Sequence, residues 1–272
     1  DVTEENSTQE GGITLIKVDK PNMAQKGTIS VEKTGEVFFG VNVSGEEDKD
    51  VIYQPVYKVK GLAGAVYEIT ADEDVITPDG TLRYHKGDVV DTVTTNEDGK
   101  AKSKELYLGK YTVFETKAPN GMVINKEKHS VELTYAGQDV AVTETATSFV
   151  NERQKVKISL EKVLEQNETF GIGKNDKIKN ISFGLYAKED IVSSSGTVIP
   201  ADGLIEIITL DENGTATANT DLPFGSYYIK EIATDEHYIL SDTQYPFTFE
   251  YAGQDTETVE IKVNDGKPIE NK

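Results

Sequence analysis

Apolar and polar residues alternate with a period of two through much of the chain. Ile29 and Val31 alternate with Thr28, Ser30 and Glu32, which predicts a β-strand with one buried face and one solvated face. Turn-forming pairs separate such segments at regular intervals: Pro78-Asp79-Gly80, Asp98-Gly99, Asn120-Gly121, Asn213-Gly214 and Asp265-Gly266. Long helical periods are absent. The pattern predicts an all-β fold of the antiparallel β-sandwich type.

The same pattern occurs twice. The pentapeptide Tyr-Ala-Gly-Gln-Asp stands at residues 135–139 and again at 251–255, a shift of 116. Residues 29–33 (ISVEK) recur at 158–162 (ISLEK), a shift of 129. The larger shift predicts extra residues early in the first copy: Lys33 to Tyr67 spans 34 positions, whereas Lys162 to Tyr186 spans 24.

Two tandem domains follow from this repeat, the first over 26–153 and the second over 154–272. Residues 1–25 form an N-terminal linker or the end of a preceding domain. Within them, residues 3–12 are predicted to lack regular structure, and 13–18 form an isolated strand or the end of that preceding domain.

Charged residues occupy apolar strand faces at matching places in the two copies. Glu115 shares its face with a tyrosine and a valine, and Glu231 does so with a tyrosine and an isoleucine. Lys33 and Lys162 take the inward parity of the first strand of each domain. Burial of such groups is costly unless they are paired, so a buried Lys–Glu ion pair in each domain is the simplest interpretation.

An asparagine at the inward parity of each terminal strand favours a more specific interpretation. Asn151 ends the first domain and Asn271 ends the second, with Asn264 as a competing partner in the second. If the first and last strands lie side by side, lysine, glutamate and asparagine meet. Burial favours the neutral form of both charged groups, so the amine becomes a nucleophile while the acid hydrogen-bonds or protonates the asparagine carbonyl.

The product of that reaction is a Lys–Asn isopeptide bond with loss of ammonia. It forms once per domain, so the chain modifies itself and is not expected to be a turnover enzyme. We expect Lys33 to bond with Asn151 under promotion by Glu115. We expect Lys162 to bond with Asn271 under promotion by Glu231.

These residues resemble the Cna B-type, or SpaA-like, domains of Gram-positive surface adhesins and pilins. The first-strand lysines, the Glu-x-x-Ala-Pro segment at 115–119 and the terminal strand at 149–151 carry the resemblance, which covers about residues 26–272. The second copy lacks the Ala-Pro ending after Glu231. The resemblance implies tandem Ig-like sandwiches in a structural stalk, adjacent to other domains of a wall-anchored surface protein.

Composition narrows the alternatives. The net charge of −20 opposes binding to nucleic acid or an anionic membrane, and no apolar run is long enough to span a bilayer. The chain contains no cysteine, so a crosslink other than a disulfide is needed for covalent stabilisation. No metal or cofactor site is predicted. The acidic residues at 72–79 fit no EF-hand spacing.

The extra segment of the first copy, about residues 39–60, supports an alternative function. It holds Phe39, Tyr53 and Tyr57 among acidic residues. Exposed aromatic side chains anchor protein partners, so this segment is the candidate for binding an extracellular-matrix or glycan ligand of a host.

Overall fold

In the computed structural model, the described residues are 7–16, 22–45, 51–166 and 177–271. The strands that precede the second domain are β1 (Ser7–Glu10), β2 (Ile13–Ile16), β3 (Lys26–Ser44), β4 (Ile52–Gly61), β5 (Val66–Ala71), β6 (Val75–Ile76), β7 (Leu82–Tyr84), β8 (Val89–Thr94), β9 (Lys100–Lys102), β10 (Leu106–Tyr107), β11 (Gly109–Lys117), β12 (Lys128–Leu133) and β13 (Val142–Asn151).

The second domain contains β14 (Lys155–Leu164), β15 (Ser182–Ala187), β16 (Ile191–Val192), β17 (Val198–Ile199), β18 (Leu204–Thr209), β19 (Thr215–Thr217), β20 (Gly225–Ala233), β21 (Gln244–Phe249), β22 (Thr258–Lys262) and β23 (Ile269–Asn271). Helical structure within the described ranges consists of 3₁₀ turns at Lys177–Asn180 and Val263–Gly266. No helix in these ranges is long and apolar enough to cross a membrane. The prediction of an all-β fold is confirmed.

The first domain is a sandwich of two layers. One layer places β3 between β13 on one side and β9 and β10 on the other, and the second layer has the order β12-β11-β5-β8. Alternate residues of the facing strands bury an apolar core that includes Ile29, Val31, Ile69, Tyr111 and Val113. Strands β3 and β13 run parallel: Lys26 pairs with Val142 at one end, and Gly35 pairs with Asn151 at the other. The first and last strands therefore do lie side by side.

The second domain repeats this arrangement. Its β14 pairs in parallel with β22 and then with β23, and it pairs with β19 on the opposite edge. The facing layer has the order β18-β15-β20-β21. Ile158, Leu160, Phe183, Ile229 and Phe249 lie in the core between the layers.

The structure corrects one residue equivalence between the copies. Tyr67 pairs with Glu115 across β5 and β11, and the residue that pairs with Glu231 across β15 and β20 is Phe183, not Tyr186. Tyr186 faces the other side of its sheet, where its ring stacks on Tyr228 at 5.1 Å. The shift of 116 therefore holds at this strand as well, since 67 + 116 = 183, and the first copy carries 129 − 116 = 13 extra residues.

The N-terminal residues also differ from expectation. The sequence predicts no regular structure at residues 7–10, but β1 pairs with β2 as an antiparallel hairpin from Ser7–Ile16 to Glu10–Ile13. The turn consists of Gly11 and Gly12, both with positive φ, of 59° and 83°. A two-residue turn of this kind matches the twist of a hairpin, and glycine adopts it without strain.

The extra residues of the first copy form a long hairpin that reaches the second domain. Its arms, residues 36–44 of β3 and 52–61 of β4, are called the interdomain hairpin below; they pair antiparallel with a bulge between Phe38 and Gly40. The carbonyls of Phe38 and Phe39 accept hydrogen bonds from the backbone N–H groups of Ser194 and Ser195, at 3.0 and 3.1 Å. A parallel bridge also joins Ile52 of β4 to Leu204 of β18.

Arg153 fixes the base of this hairpin against the second domain. Its side chain is buried, its guanidinium lies 3.8 Å from the centre of the Tyr57 ring, and it forms an ion pair with Asp221. The Tyr57 hydroxyl donates to the backbone carbonyl of Asp221 at 3.2 Å. One short segment of the second domain therefore holds both the hairpin and the link between the domains.

We expect Asp221→Asn to loosen this junction without unfolding either domain. The substitution removes the nearer of the two carboxylates beside the buried Arg153 guanidinium, since Glu36 lies at 4.0 Å, and it should lower the free energy of unfolding by about 1–3 kcal/mol. Amide hydrogen exchange at Ser194 and Ser195 should become faster, because their bonds to the hairpin open more often. Asp242→Asn, at an exposed site, serves as the control. Unchanged exchange at both serines in Asp221→Asn would contradict this role of Arg153.

Candidate crosslinking site

Strand register brings Lys33 and Asn151 together. Lys33 lies opposite Phe149 in the parallel β3–β13 pair, and Asn151 lies two residues further along, opposite Gly35. Residues two apart on a strand point to the same face, so the side chains of Phe149 and Asn151 both face the core beside Lys33. The Lys33 side chain has no exposed surface, and Asn151 is 2% exposed.

Glu115 completes the cluster from the opposite layer. Its carboxylate Oε1 lies 3.2 Å from Lys33 Nζ, and both side chains are fully buried. Lys33 Nζ donates a hydrogen bond to Asn151 Oδ1. Asn151 Nδ2 in turn donates to both carboxylate oxygens of Glu115, at 3.1 Å each. The three polar groups therefore form a closed ring of contacts inside the apolar core.

The orientation of the amide differs from the sequence-based expectation, which places the acid at the asparagine carbonyl. In the structure the carboxylate contacts the amide nitrogen, and the lysine contacts the carbonyl oxygen. Donors and acceptors match in this orientation, because Nδ2 donates and a carboxylate accepts. The carboxylate therefore lies beside the atom that would leave as ammonia.

Burial controls the protonation of the lysine. Desolvation lowers the pKa of Lys33 from its ordinary value of 10.5, and the attraction of Glu115 opposes this effect only in part. The Tyr67 and Phe149 rings lie 5.7 and 5.8 Å from Lys33 Nζ and replace water around it. The site thus shifts the lysine towards the neutral amine, which is the nucleophilic form.

Backbone groups that sequence reasoning missed hold the cluster in place. The N–H of Asn125 donates to Glu115 Oε2 at 2.7 Å, and the N–H of Ser241, 116 positions later, donates to Glu231 Oε2 at 3.1 Å. The side chains of Asn125 and Ser241 give no sign of these contacts, because the main-chain N–H groups make them. The constant spacing from each glutamate is the available signal.

Two turn glycines fix the backbone of the lysines. Lys33 N–H donates to the carbonyl of Gly99, and Lys162 N–H donates to that of Gly214, both at 2.7 Å. A Cβ at Gly99 would lie 2.1 Å from the Lys33 carbonyl, and one at Gly214 would lie 2.3 Å from the Lys162 carbonyl. Their φ angles of +75° and +77° also require glycine. The sequence predicts both glycines as turn residues, without this contact.

The second domain also places Lys162 beside Glu231, with a longer separation than that between Lys33 and Glu115. Both side chains are buried, and Lys162 Nζ lies 3.8 Å from Glu231 Oε1. Desolvation by burial lowers the pKa of Lys162, against the attraction of Glu231.

Backbone register distinguishes the two candidate asparagines of this domain. Lys162 pairs with Ile269 and Leu164 pairs with Asn271, the same offset that relates Lys33 to Asn151. Asn264 lies in the 3₁₀ turn between β22 and β23, with a φ of 57°, and its amide donates to the carbonyls of Lys267 and Pro268. This turn contains four residues that the first domain lacks. The first residues of β13 and β22 are 258 − 142 = 116 positions apart, whereas the last residues of β13 and β23 are 271 − 151 = 120 positions apart.

The three aromatic residues proposed for ligand binding lie away from the crosslinking site, on the interdomain hairpin. Tyr53 packs against the core of the second domain, and Tyr57 contacts Arg153 and Asp221. Phe39 is half-buried beneath Lys58 and Lys60, whose ammonium groups lie 3.8 and 4.6 Å from its ring centre. Each of these rings already has contacts within the chain.

A known surface protein is similar in sequence to half of this chain. The chain is 29% identical over 139 residues to the trypsin-resistant surface T6 protein of Streptococcus pyogenes serotype M6, covering 50% of this chain and 24% of that protein. The chain thus spans about a quarter of the length of this relative.

Among solved structures, the Bacillus anthracis TIE protein matches 91% of this chain and 34% of its own chain, with a TM-score of 0.53 and 21% identity. The minor pilin of Streptococcus agalactiae matches 90% of this chain and 95% of its own, with a TM-score of 0.28 and 18% identity.

The sequence model of the SpaA prealbumin-like fold domain matches the chain twice, at residues 56–147 and 168–267. These matches cover more than half of the chain and fall one in each β-sandwich. The chain therefore belongs to the SpaA family of prealbumin-like fold domains and contains two of them in tandem.

Proposed function

We propose that this chain is a load-bearing stalk segment of a Gram-positive surface protein, and that each domain closes itself with a Lys–Asn isopeptide bond. The observation that carries the proposal is the buried contact of Lys33, Glu115 and Asn151, which joins the first strand of a domain to its last. The family and the streptococcal surface relative support the location on the cell exterior and the structural role.

The reaction needs only the groups already in contact. Glu115 accepts a proton from Lys33, and the neutral Nζ attacks Cγ of Asn151 to form a tetrahedral intermediate. Glu115 then delivers this proton to Nδ2 and takes the second proton from Nζ, the Cγ–Nδ2 bond breaks, and ammonia leaves. The lysine ammonium has lost two protons, one to ammonia and one to Glu115, so atoms and charges balance without an oxidant or cofactor.

The same step is proposed for Lys162, Glu231 and Asn271 in the second domain. The matched strand register supports Asn271 as the partner. The contacts of the Asn264 amide with the backbone of its own turn argue against the alternative.

The bonds would close loops of 151 − 33 = 118 and 271 − 162 = 109 positions. By the loop-entropy argument used for disulfides, a loop of this size stabilises a domain by about 4–5 kcal/mol. Tension applied through the ends would pass along β3, across the bond and out through β13, so the residues between would carry no load.

The interdomain hairpin supports the same function. It adds hydrogen bonds to a link of three residues between β13 and β14, in which Arg153 forms an ion pair with Asp221. Its aromatic side chains contribute to this junction. A stalk requires such resistance to bending between its domains. We therefore assign the hairpin a role in stiffening the stalk rather than in binding a ligand.

We expect the intact mass of the purified chain to fall below the sequence mass by two ammonias, about 17 Da each. Glu115→Gln keeps the size of the side chain but cannot accept a proton, so this variant should retain one ammonia. Glu231→Gln should retain the other. High-resolution mass spectrometry of the three proteins measures this directly.

Matched asparagine variants assign the partner in the second domain. Asn271→Ala should restore one ammonia to the mass, whereas Asn264→Ala should leave the deficit unchanged. A full sequence mass for the native chain would overturn the proposal. Restoration by Asn264→Ala alone would transfer the second bond to that residue.

The stability of an uncrosslinked domain should depend on pH in a predictable direction. In Asn151→Ala the amine of Lys33 remains free, and burial keeps its folded-state pKa below the unfolded value. The unfolded state then binds more protons, so stability rises as pH increases from the folded pKa towards about 10.4.

The control for this dependence is the double variant Asn151→Ala, Lys33→Met, which lacks the titrating amine. Denaturant unfolding between about pH 7 and 9.5 should show a steeper gain in stability for the single variant than for the double variant. Equal slopes would mean that the Lys33 amine is not held in the neutral form by its site.

A further inference from the structure

A glutamine at the start of each domain binds the repeated Tyr-Ala-Gly-Gln-Asp loop. Gln25 Oε1 accepts from the N–H of Ala136 at 2.9 Å, and its Nε2 donates to the carbonyl of Gly137 at 3.0 Å. Gln154, 129 positions later, contacts Ala252 and Gly253 in the same way, at 2.8 and 3.1 Å. We call residues 135–140 and 251–256 the docking loops of the first and second domains. The two loops are held in equivalent geometry.

The docking loop of the second domain binds the end of the first. Gln254 Oε1 accepts from the N–H of Ala118 at 2.9 Å, and the Gln254 carbonyl accepts from the N–H of Ile124 at 2.9 Å. The Tyr251 hydroxyl donates to the carbonyl of Met122 at 3.0 Å. Residues 118–124 therefore act as a receiving turn, and the loop residues that bind it are the tyrosine and the glutamine of the repeated pentapeptide.

The docking loop of the first domain presents the same residues to solvent. Tyr135, the counterpart of the half-buried Tyr251, is 63% exposed, and Gln138, the counterpart of Gln254, is exposed as well. Val140 and Val142 beside them are 37% and 40% exposed. This loop thus has the shape and chemistry of the internal contact, with its binding residues open to solvent.

The receiving turn also recurs, at the far end of the second domain. In this second turn the N–H of Tyr238 donates to the carbonyl of Asp235 at 3.0 Å. The equivalent bond in the first turn runs from the N–H of Met122 to the carbonyl of Pro119, at 3.1 Å. The second turn has this bond although it lacks the Ala-Pro sequence. Ile239 and Leu240, the counterparts of the half-buried Val123 and Ile124, are 81% and 50% exposed. Two adjacent, large apolar side chains exposed to this degree are typical of a contact surface.

We propose that the docking loop of the first domain binds the receiving turn of a second copy of this two-domain unit, head to tail. The contact repeats the internal one: Tyr135 and Gln138 take the places of Tyr251 and Gln254, and Ile239 and Leu240 become covered. Because the two surfaces lie at opposite ends of the unit, the contact is heterologous and extends into a linear array. This surface lies outside both crosslinking sites, so the proposal is independent of whether the isopeptide bonds form.

Two complete chains fused end to end test this proposal, because the tether raises the effective concentration of the two surfaces. The chain has no cysteine, so introduced thiols are unique. Leu240→Cys in the leading copy and Asp139→Cys in the trailing copy would be joined by a short bis-maleimide, and the crosslinked peptide would be quantified by mass spectrometry. Ile124→Cys with Asp255→Cys within one copy provides the matched positive control, since Asp255 adjoins Gln254, whose carbonyl accepts from the N–H of Ile124.

The Leu240–Asp139 pair should crosslink at about the rate of the internal pair. It should react at least about tenfold faster than a pair in which Thr92→Cys, on an exposed strand position, replaces Asp139→Cys. Adding Tyr135→Ala to the trailing copy should slow the reaction severalfold. A rate equal to that of the Thr92 pair, with the internal pair reacting normally, would overturn the proposal and leave the loop open to some other occupant.

Discussion

Burial of the Lys33 amine is the constraint on which the first domain depends. An ammonium or carboxylate in an apolar core is costly unless each is paired, and the pair itself contributes little net stability. Here the lysine and glutamate also contact a buried amide from the last strand of the domain. The arrangement is understandable as a precursor, because conversion to an isopeptide bond would remove the titratable amine from the core and replace its contact with a covalent link.

The surrounding structure serves to place that cluster. Parallel pairing of β3 with β13 sets the offset between lysine and asparagine, and the facing sheet brings the glutamate across. The glycine turns at Gly99 and Gly214 hold the lysine backbone, and main-chain N–H groups orient the carboxylates. Between the domains, the interdomain hairpin and Arg153 hold the two sandwiches against each other.

Period-two patterning and the internal repeat are sufficient to predict the all-β, two-domain fold, because both signals are local. The inward parity of Lys33, Glu115 and Asn151 predicts that these side chains meet if the first and last strands are adjacent, and the parallel pairing of β3 with β13 supplies that adjacency. The sequence does not reveal that the extra residues of the first copy cross to the second domain. That contact depends on the relative position of two domains, which no local pattern encodes. The Tyr67–Tyr186 equivalence is wrong because one tyrosine faces the core and the other faces outward, and matching residue types do not report a strand face.

Single-molecule force spectroscopy, with the chain pulled from its two ends, tests the central claim most directly. If both isopeptide bonds form, tension bypasses the residues between each lysine and its asparagine. We therefore expect no unfolding step that releases a whole domain. Without the bonds, each domain would release a contour length on the order of 40 nm, from roughly 3.6 Å for each residue in the closed loop. Two such steps in the native chain would contradict the account.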